Sequence, residues 1–567
     1  MHARAPINYP NDTDVKITRD MDGLISITVD ASGTTTNLYY PSAWLKTVTT
    51  SSTFTKIITY QYNGVGLVSN MQVSGESSFT YSYNARNQLS SVTNPNSVQV
   101  SFTYDNGGRR TRITDPGSYV EYVYNARNWI TDVRNRTTGG TTRYDATYYY
   151  QDGTLWDHTG NPVKRTENLA GSTYTTTLRY DAVYRQTQET KKDSSNNTIY
   201  DLAYGYDAVG NRTTRTLAGT ITYWTYDDHN KLTKIGTQPG YNDLATFGYD
   251  SNGNMTSVSG TLFGSKSMVY NDQDRLTSIT CGGTTDLYYY NWQGQRYRAR
   301  LGGVYSRYLY HGQRVLEELN DSGAMQARYT TENGTFFSSW LHLHRPTGSL
   351  SRFPMYDNIG TARGLLDASG TATDWYELDT FGRQVSSSGT TPNPYRYGGA
   401  WGYITDPSGM LQLGERFLWT DLGRFLQQDV LPDAANLYSY VSASPTRGID
   451  PDGRQTYRRT WTAEPEDTFR ECLDQVRDEY WDCLCQAGIP QRVAAGGAGA
   501  FLLGAARRAA AGMLCGPVCS IGAVVVGGGA VLAALIDFNT CNDAAAAGRE
   551  ACKPAALSSN GGWSPSD

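Results

Sequence analysis

From residue 61 to residue 310 apolar and polar side chains alternate in short runs, and each pair of runs is separated by a polar turn. YSYNARNQLSSVT, FTYDNGGRRTRIT, YGYDAVGNRTTRT, FGYDSNGNMTSV and MVYNDQDRLTSI all have this form. A period of two carried by β-branched and aromatic residues predicts half-buried strands, and two such runs about one turn predict a hairpin. The Asp or Asn after the Tyr can hydrogen-bond its own backbone two residues on, and the Gly or Asn that follows tolerates positive φ where the chain reverses.

The unit recurs at Tyr62-Asn63, Tyr83-Asn84, Tyr104-Asp105, Tyr124-Asn125 and Tyr144-Asp145, then at Tyr180-Asp181, Tyr206-Asp207, Tyr226-Asp227, Tyr249-Asp250, Tyr270-Asn271 and Tyr290-Asn291. Most neighbouring steps are 20 to 23 residues, and the gap after Tyr144 holds one irregular unit, DHTGNPVKRTE. A hairpin of about 20 residues buries too little surface to stand alone, so successive units must pair edge to edge into one long sheet. Strand twist coils such a sheet, and enough repeats enclose a volume, so a hollow shell is the natural outcome. Period and composition are equally compatible with a flat solenoid or a propeller.

Composition narrows the picture. Only 38% of the 567 residues are hydrophobic, 58 are Gly, and Tyr outnumbers Phe by 43 to 14. That profile suits extended sheet whose aromatic faces carry a polar tip, and it excludes a single oily globule. A formal charge of −5 leaves the chain no electrostatic reason to seek nucleic acid, and no nucleic-acid partner is expected. The first residues, MHARAPINYPNDTDV, contain no apolar core or small-residue cleavage site of a Sec-type signal peptide.

The Tyr-Asp units resemble the YD repeats of RHS proteins, Tc-toxin C components and the teneurin shell. RYLYHGQRVLEELNDSGAMQARYT (307–330) and MYDNIGTARGLLDASGTATDWYELDTFGR (355–383) look like the stretches that precede the RHS-associated core. Residues 394–453, with GRFLQQD, NLYSYV and DPDG, resemble that core itself. The resemblance implies a mainly β chain, a spiralling YD-repeat hairpin shell followed by a small helical C-terminal domain. The expected divisions are partial or degenerate repeats over 1–60, YD repeats over 61–310, the core over 311–453 and a variable helical, Cys-rich, membrane-prone domain over 454–567. It further implies that the core plugs the shell and curls inward, while the segment after DPDG is an effector held inside and freed by an aspartic autoprotease.

Carried over by motif, Arg416, Asp429 and Asp450 are the expected catalytic residues, and the expected scissile bond is Arg454-Gln455. Two adjacent carboxylates cannot both stay ionised, so one retains a proton to polarise the scissile carbonyl while the other activates water. An Arg orients one of them. Relatives carry Leu where Arg454 stands and Pro where Val430 stands, which puts the cleavage pocket in doubt, and a buried ion network that only locks the plug is the competing reading. His342 and His344 are two residues apart, but no third ligand accompanies them, so they read as ordinary strand residues. Gly107-Gly108 and Gly282-Gly283 lack a strand-loop-helix setting and read as hairpin turns. No HExxH, P-loop or nucleophile elbow occurs, and neither a metal nor a cofactor is expected.

Past Gly453 the alternation stops. FRECLDQVRDEYWDCLCQAG carries apolar and charged groups at helical steps, and seven of the eight cysteines lie in this tail. Cys472 and Cys483 are 11 apart, as are Cys541 and Cys552, so Cys472-Cys552 and Cys483-Cys541 are candidate disulfides stapling two antiparallel helices, with metal binding the rival reading; a disulfide hairpin implies an oxidising, extracytoplasmic destination. Residues 493–536 are rich in Ala, Gly, Val and Leu, and 517–536 carry no charge. A span of that length crosses a bilayer as a helix, which makes a membrane a candidate partner through a toxic hairpin, an anchor, or a sequestered helix pair. Other expected partners are the chain's own effector segment, an immunity protein and a secretion machinery. The two functional expectations are a toxin-delivery module for bacterial competition and a cell-surface interaction protein tethered by its tail, either one secreted or surface-associated.

Overall fold

The computed structural model describes residues 2–3 and 14–458, except 154, 158, 170, 333, 336–337 and 430–435. The expected helical tail, Cys472, Cys483, Cys541 and Cys552, the 493–536 stretch and Val430 lie outside the described residues. Contacts divide the chain into units Met1–Trp461 and Thr462–Asp567, and the following concerns the first.

Each repeat is built the same way. Strand Thr55–Tyr62 runs into a turn headed by Asn63 and returns as Val68–Val73. The Asn63 side-chain oxygen accepts the N–H groups of Val65 (3.1 Å) and Leu67 (3.0 Å), which is the local chemistry the Tyr-Asx pattern predicts. Asp207, Asp227 and Asp250 repeat it with the N–H groups two and four residues on. Three residues past the Asx the chain is left-handed, as at Gly66 (φ 87°), Asn87 (62°) and Gly210 (88°). Gly282 and Gly283, both at positive φ, close the two-residue turn between Leu276–Cys281 and Thr284–Tyr290.

Two features tie one repeat to the next. The ladder shifts register at each Asx-heading Tyr, for example between Gln61 and Tyr62 and between Ser82 and Tyr83. Such bulges raise local twist and bend the strip. The Tyr hydroxyls reach back to the preceding repeat: Tyr83 donates to the Val68 carbonyl (2.8 Å), Tyr104 to Leu89 (2.8 Å), Tyr270 to Met255 (2.8 Å) and Tyr290 to Leu276 (2.8 Å). Phe would fill the same volume without that bond, which explains the excess of Tyr.

The expectation of a turn at Tyr144-Asp145 is corrected. Both residues lie inside strand Thr142–Tyr149, with Tyr144 fully buried and Asp145 paired to Arg136 (3.0 Å). The run ATYYY after Asp145 offers no Gly or Asn to reverse the chain, so the strand continues. The turn forms at Asp157 instead, which accepts the N–H groups of Thr159 (2.7 Å) and Asn161 (3.0 Å), with Gly160 at φ 96° and Tyr150 as the reaching hydroxyl. Turns of the same kind occur within 1–60, the stretch expected to hold partial or degenerate repeats. Asp20 accepts N–H groups from Asp22 and Leu24, and Tyr39 reaches the Ile25 carbonyl.

Among the described residues, consecutive pairings are antiparallel and join 35 strands into one sheet, interrupted by the small hairpin Gln151–Asp152 with Leu155–Trp156. The sheet winds over itself. Asp30 accepts the N–H of Trp292 (2.7 Å), Asn94 donates to Thr330 (2.9 Å), Arg110 grips Glu332 in two bonds, and Glu189 accepts the N–H of Thr380 (3.0 Å). Partners advance together along the chain, so later strands track earlier ones. Strands Arg314–Asn320, Trp340–Arg345 and Ala362–Leu366 bury side chains on both faces, whereas Thr55–Tyr62 buries alternate residues only.

Late strands pack against early ones. Ile58, Tyr60, Met71 and Phe79 pack with Leu316, Leu343, Phe353 and Leu365 in one apolar core. In a second core Trp224, Phe247, Met268 and Tyr288 pack with Met410, Phe417, Trp419 and Leu426. The Tyr60 and His311 rings are 5.7 Å apart, centroid to centroid, so an early and a late strand meet there. Among the described residues no helix is long and apolar enough to cross a membrane.

Candidate functional site

The segment after residue 394 closes the coil by meeting successive repeat turns. Tyr397 donates to the Thr380 carbonyl (2.7 Å), Trp401 to Ile359 (2.8 Å) and Tyr438 to Gly253 (2.7 Å), while Arg212 donates to Leu422 (3.2 Å). Two ion pairs complete the ring of contacts: Arg296 with Asp406 (2.9 Å), both buried, and Arg275 with Glu415 (3.0 Å). The segment carries a four-stranded sheet, Ile404–Thr405, Met410–Leu413, Arg416–Trp419 and Arg424–Phe425.

Next comes a short hairpin in which Gly448–Ile449 pairs with Tyr457–Arg458, and its loop is DPDG with the three residues that follow. Loop and sheet press together. A side chain at Gly453 would collide with the Leu413 carbonyl oxygen, and one at Gly414 with that of Asp452. The glycine of DPDG is therefore required by close approach of two backbones.

The three residues expected to carry chemistry are brought together. One terminal nitrogen of Arg416 lies 2.8 Å from Asp429 Oδ2 and 3.0 Å from Asp450 Oδ2, while its Nε donates to the Gly453 carbonyl. The guanidinium lies over the Phe425 ring at 3.7 Å. Asp450 is 2% exposed, and its backbone N–H donates to the buried Tyr403 hydroxyl at 2.6 Å. The other Asp450 oxygen, Oδ1, accepts the N–H groups of Arg454 (3.0 Å) and Gln455 (3.0 Å). The expected scissile amide thus rests on one of the expected carboxyls.

Asp452 completes the cluster and was not among the residues expected from the sequence. Its Oδ1 accepts the same two N–H groups, at 3.0 and 3.3 Å. The signal for it lay inside DPDG, two residues past Asp450. Burial pushes the Asp450 carboxyl well above the usual carboxylate range; Arg416 opposes this, and the Asp452 and Asp429 carboxyls reinforce it. Buried beside two other carboxyls, Asp450 is the group that favours keeping a proton. Such a cluster can give a proton to an amide nitrogen and take one from water.

Arg454, the residue before the expected cut, is also held. Its Nε lies 3.1 Å from Glu415 Oε2 and its terminal nitrogen 2.7 Å from Oε1, a two-pronged pair. Burial alone would raise the Glu415 carboxyl, but Arg454 and Arg275 outweigh it and hold it down to about 2.

The other sequence candidates are ordinary. His342 is buried, one ring nitrogen 2.8 Å from the Asn94 amide and the other 2.6 Å from the Ser351 hydroxyl. Gly108 donates to the Asp105 carbonyl within a repeat turn. Among the described residues no group of three or more His, Cys, Asp or Glu is placed to hold a metal ion.

Comparison with known proteins adds a family and a fold. The RHS Repeat family model matches residues 83–120. The chain is 26% identical over 268 residues to the tRNA nuclease WapA of Bacillus subtilis, covering 44% of this chain and 11% of that protein. It is 24% identical over 276 residues to the double-stranded DNA deaminase toxin A of Burkholderia cenocepacia, covering 45% of this chain and 17% of that one. The chain thus spans between about a tenth and a fifth of the length of these relatives. Among solved structures, the TcdB2-TccC3-TEV crystal structure superposes with a TM-score of 0.56 at 16% identity, over 79% of this chain and 28% of that one, which establishes a shared fold.

Proposed function

The chain is an RHS/YD-repeat protein with a toxin-like shell, and from that premise we propose that residues 394–453 form a self-cutting stopper that frees the segment 455–567 as an effector. The observation that carries this reading is the place of Asp450, whose Oδ1 lies 3.0 Å from the Gln455 nitrogen while Oδ2 meets Arg416.

Hydrolysis then runs as follows. A water oxygen bonds to the Arg454 carbonyl carbon as Asp429, kept ionised by Arg416, takes its proton. The carbon to nitrogen bond breaks, and the proton held between Asp450 and Asp452 passes to the Gln455 nitrogen. The products are a carboxylate at Arg454 and an amine at Gln455. Each chain cuts once. A buried, prearranged cluster supplies charge stabilisation without solvent reorganisation, which suits a single event.

The freed segment is read as membrane-active, because 517–536 is an uncharged stretch of bilayer length. The relatives carry other named activities, which fits a conserved stopper with an exchangeable payload. Delivery to the cell surface or beyond is part of the same reading, as are an immunity partner and a secretion machinery.

Denaturing gels of the full chain test it. Wild type should give fragments 1–454 and 455–567, and Asp450→Asn or Asp429→Asn should leave the chain whole. Growth arrest on expressing 455–567, cured by restoring 1–454 in the uncut Asp450→Asn chain, supports the effector role. An intact wild-type band with no arrest would favour a tethered surface protein instead.

A further inference from the structure

We infer that Glu415 is the positioning residue that reads the side chain of Arg454, and that it does so only when the repeat wall lends it Arg275, so that cutting is coupled to closure of the coil. The inference rests on the cleavage reading above and adds to it a specificity determinant and a condition for cutting.

The geometry points this way from both sides of Glu415. Toward the loop, the carboxylate takes Nε and a terminal nitrogen of Arg454 at 3.1 and 2.7 Å. Such a fork fixes the direction of the guanidinium as well as its place, which a single contact to Lys would not do. Toward the wall, Glu415 Oε1 takes Arg275 at 3.0 Å. Arg275 is itself held by Gln273 (2.6 Å) and by the Asn291 carbonyl (3.5 Å), so it belongs to two neighbouring repeat turns. Gly294 completes the cradle: a side chain there would come within 2.7 Å of Glu415 Oε1 and 2.9 Å of Arg275.

Glu415 sits beside Arg416 in sequence, and its backbone N–H donates to the Asp452 carbonyl at 3.1 Å. One side chain therefore links the wall, the carboxyl cluster and the residue on the acyl side of the scissile bond. With Arg454 clamped, the Arg454-Gln455 amide lies on Asp450; with the clamp empty, the loop must hold that register by its backbone alone. Because Arg275 comes from the wall, a core segment not yet seated in the coil lacks half of the clamp. A cut made before closure would shed the payload from an open coil, and the shared ion pair prevents it.

The test is a timed cell-free synthesis of the full chain, followed by the rate at which fragment 455–567 appears. Glu415→Gln and Arg454→Gln should each slow cutting at least tenfold, while the double variant should be no slower than the slower single one. Arg454→Lys should retain part of the rate, and Arg275→Gln should slow cutting although it touches none of the three carboxyls. Melting of the Asp450→Asn chain with and without each change separates a lost clamp from a lost fold. If Glu415→Gln cuts at the wild-type rate, or if the two single effects multiply in the double variant, the clamp is refuted while the cleavage reading stands. If wild type stays whole, or Asp450→Asn still cuts, the cleavage reading falls and the clamp with it.

Discussion

Replacing Tyr290 by Phe removes one oxygen and leaves the ring in place. Tyr290 is 9% exposed, and its hydroxyl donates to the Leu276 carbonyl at 2.8 Å across the join between repeats. The net worth of such a bond is about 1 kcal/mol, rising to about 3 kcal/mol if the carbonyl is left dry. The strip is long and quasi-repetitive, so a single unfolding midpoint would blur a local change. Hydrogen exchange of strands Leu276–Cys281 and Thr284–Tyr290 reads it directly. At about 1.4 kcal/mol per tenfold, amide exchange there should quicken by about 5-fold or more. Tyr39, which makes the same reach to Ile25 (2.8 Å) but is half-exposed, is the control, because water replaces its bond; Tyr39→Phe should change local exchange by about 2-fold or less. Unchanged protection in Tyr290→Phe would mean that the tyrosines serve the wall through their rings alone.

Three further outcomes follow from the same structure. Tyr184 occupies the left-handed turn position at φ 67°, where most other repeats place Gly or Asn, so Tyr184→Asn should stabilise its hairpin by about 0.5–1 kcal/mol, visible as slower local exchange. Lys191 is buried between Glu167 (3.0 Å) and Glu377 (2.6 Å), which also meet Arg165 and Arg363, so Lys191→Met, which breaks two buried pairs of this network, should cost about 3 kcal/mol and lower the urea midpoint. Burial depresses His311 to about 4 and, with His344 and Arg328 adding, His342 to about 3. Both fold neutral while the unfolded chain takes protons below about 6.5, so their contribution is present above that pH and is lost as pH falls toward 4; His311→Phe should flatten the fall in melting temperature between pH 6.5 and 4.

Much of this architecture was legible in the residues. The Asx after each Tyr, with Gly or Asn three positions on, encodes its own turn, so hairpins such as those at Asn63 and Asp207 could be placed by local chemistry. Tyr144-Asp145 shows the limit of a period taken without that second signal. What lay beyond the pattern was what covers each face. Lys191, Glu167 and Arg296 occupy alternating positions that look solvent-facing, yet they are buried because a later stretch of the chain lies over them, a contact set by coiling and not by neighbours in sequence. At the candidate site the DPDG motif and Arg416 were readable by resemblance, and Asp452 stood within the motif. Glu415 was not readable, because its meaning depends on Arg275, which is distant in sequence, and on an Arg where relatives have Leu.

The most direct test of the account is the N-terminal sequence of the small fragment released from the purified full chain. The cluster of Arg416, Asp429, Asp450 and Asp452 beneath the 454–455 amide predicts a single new terminus beginning at Gln455, and none from the Asp450→Asn chain. A chain that stays whole, or a fragment that begins at any other residue, would contradict it.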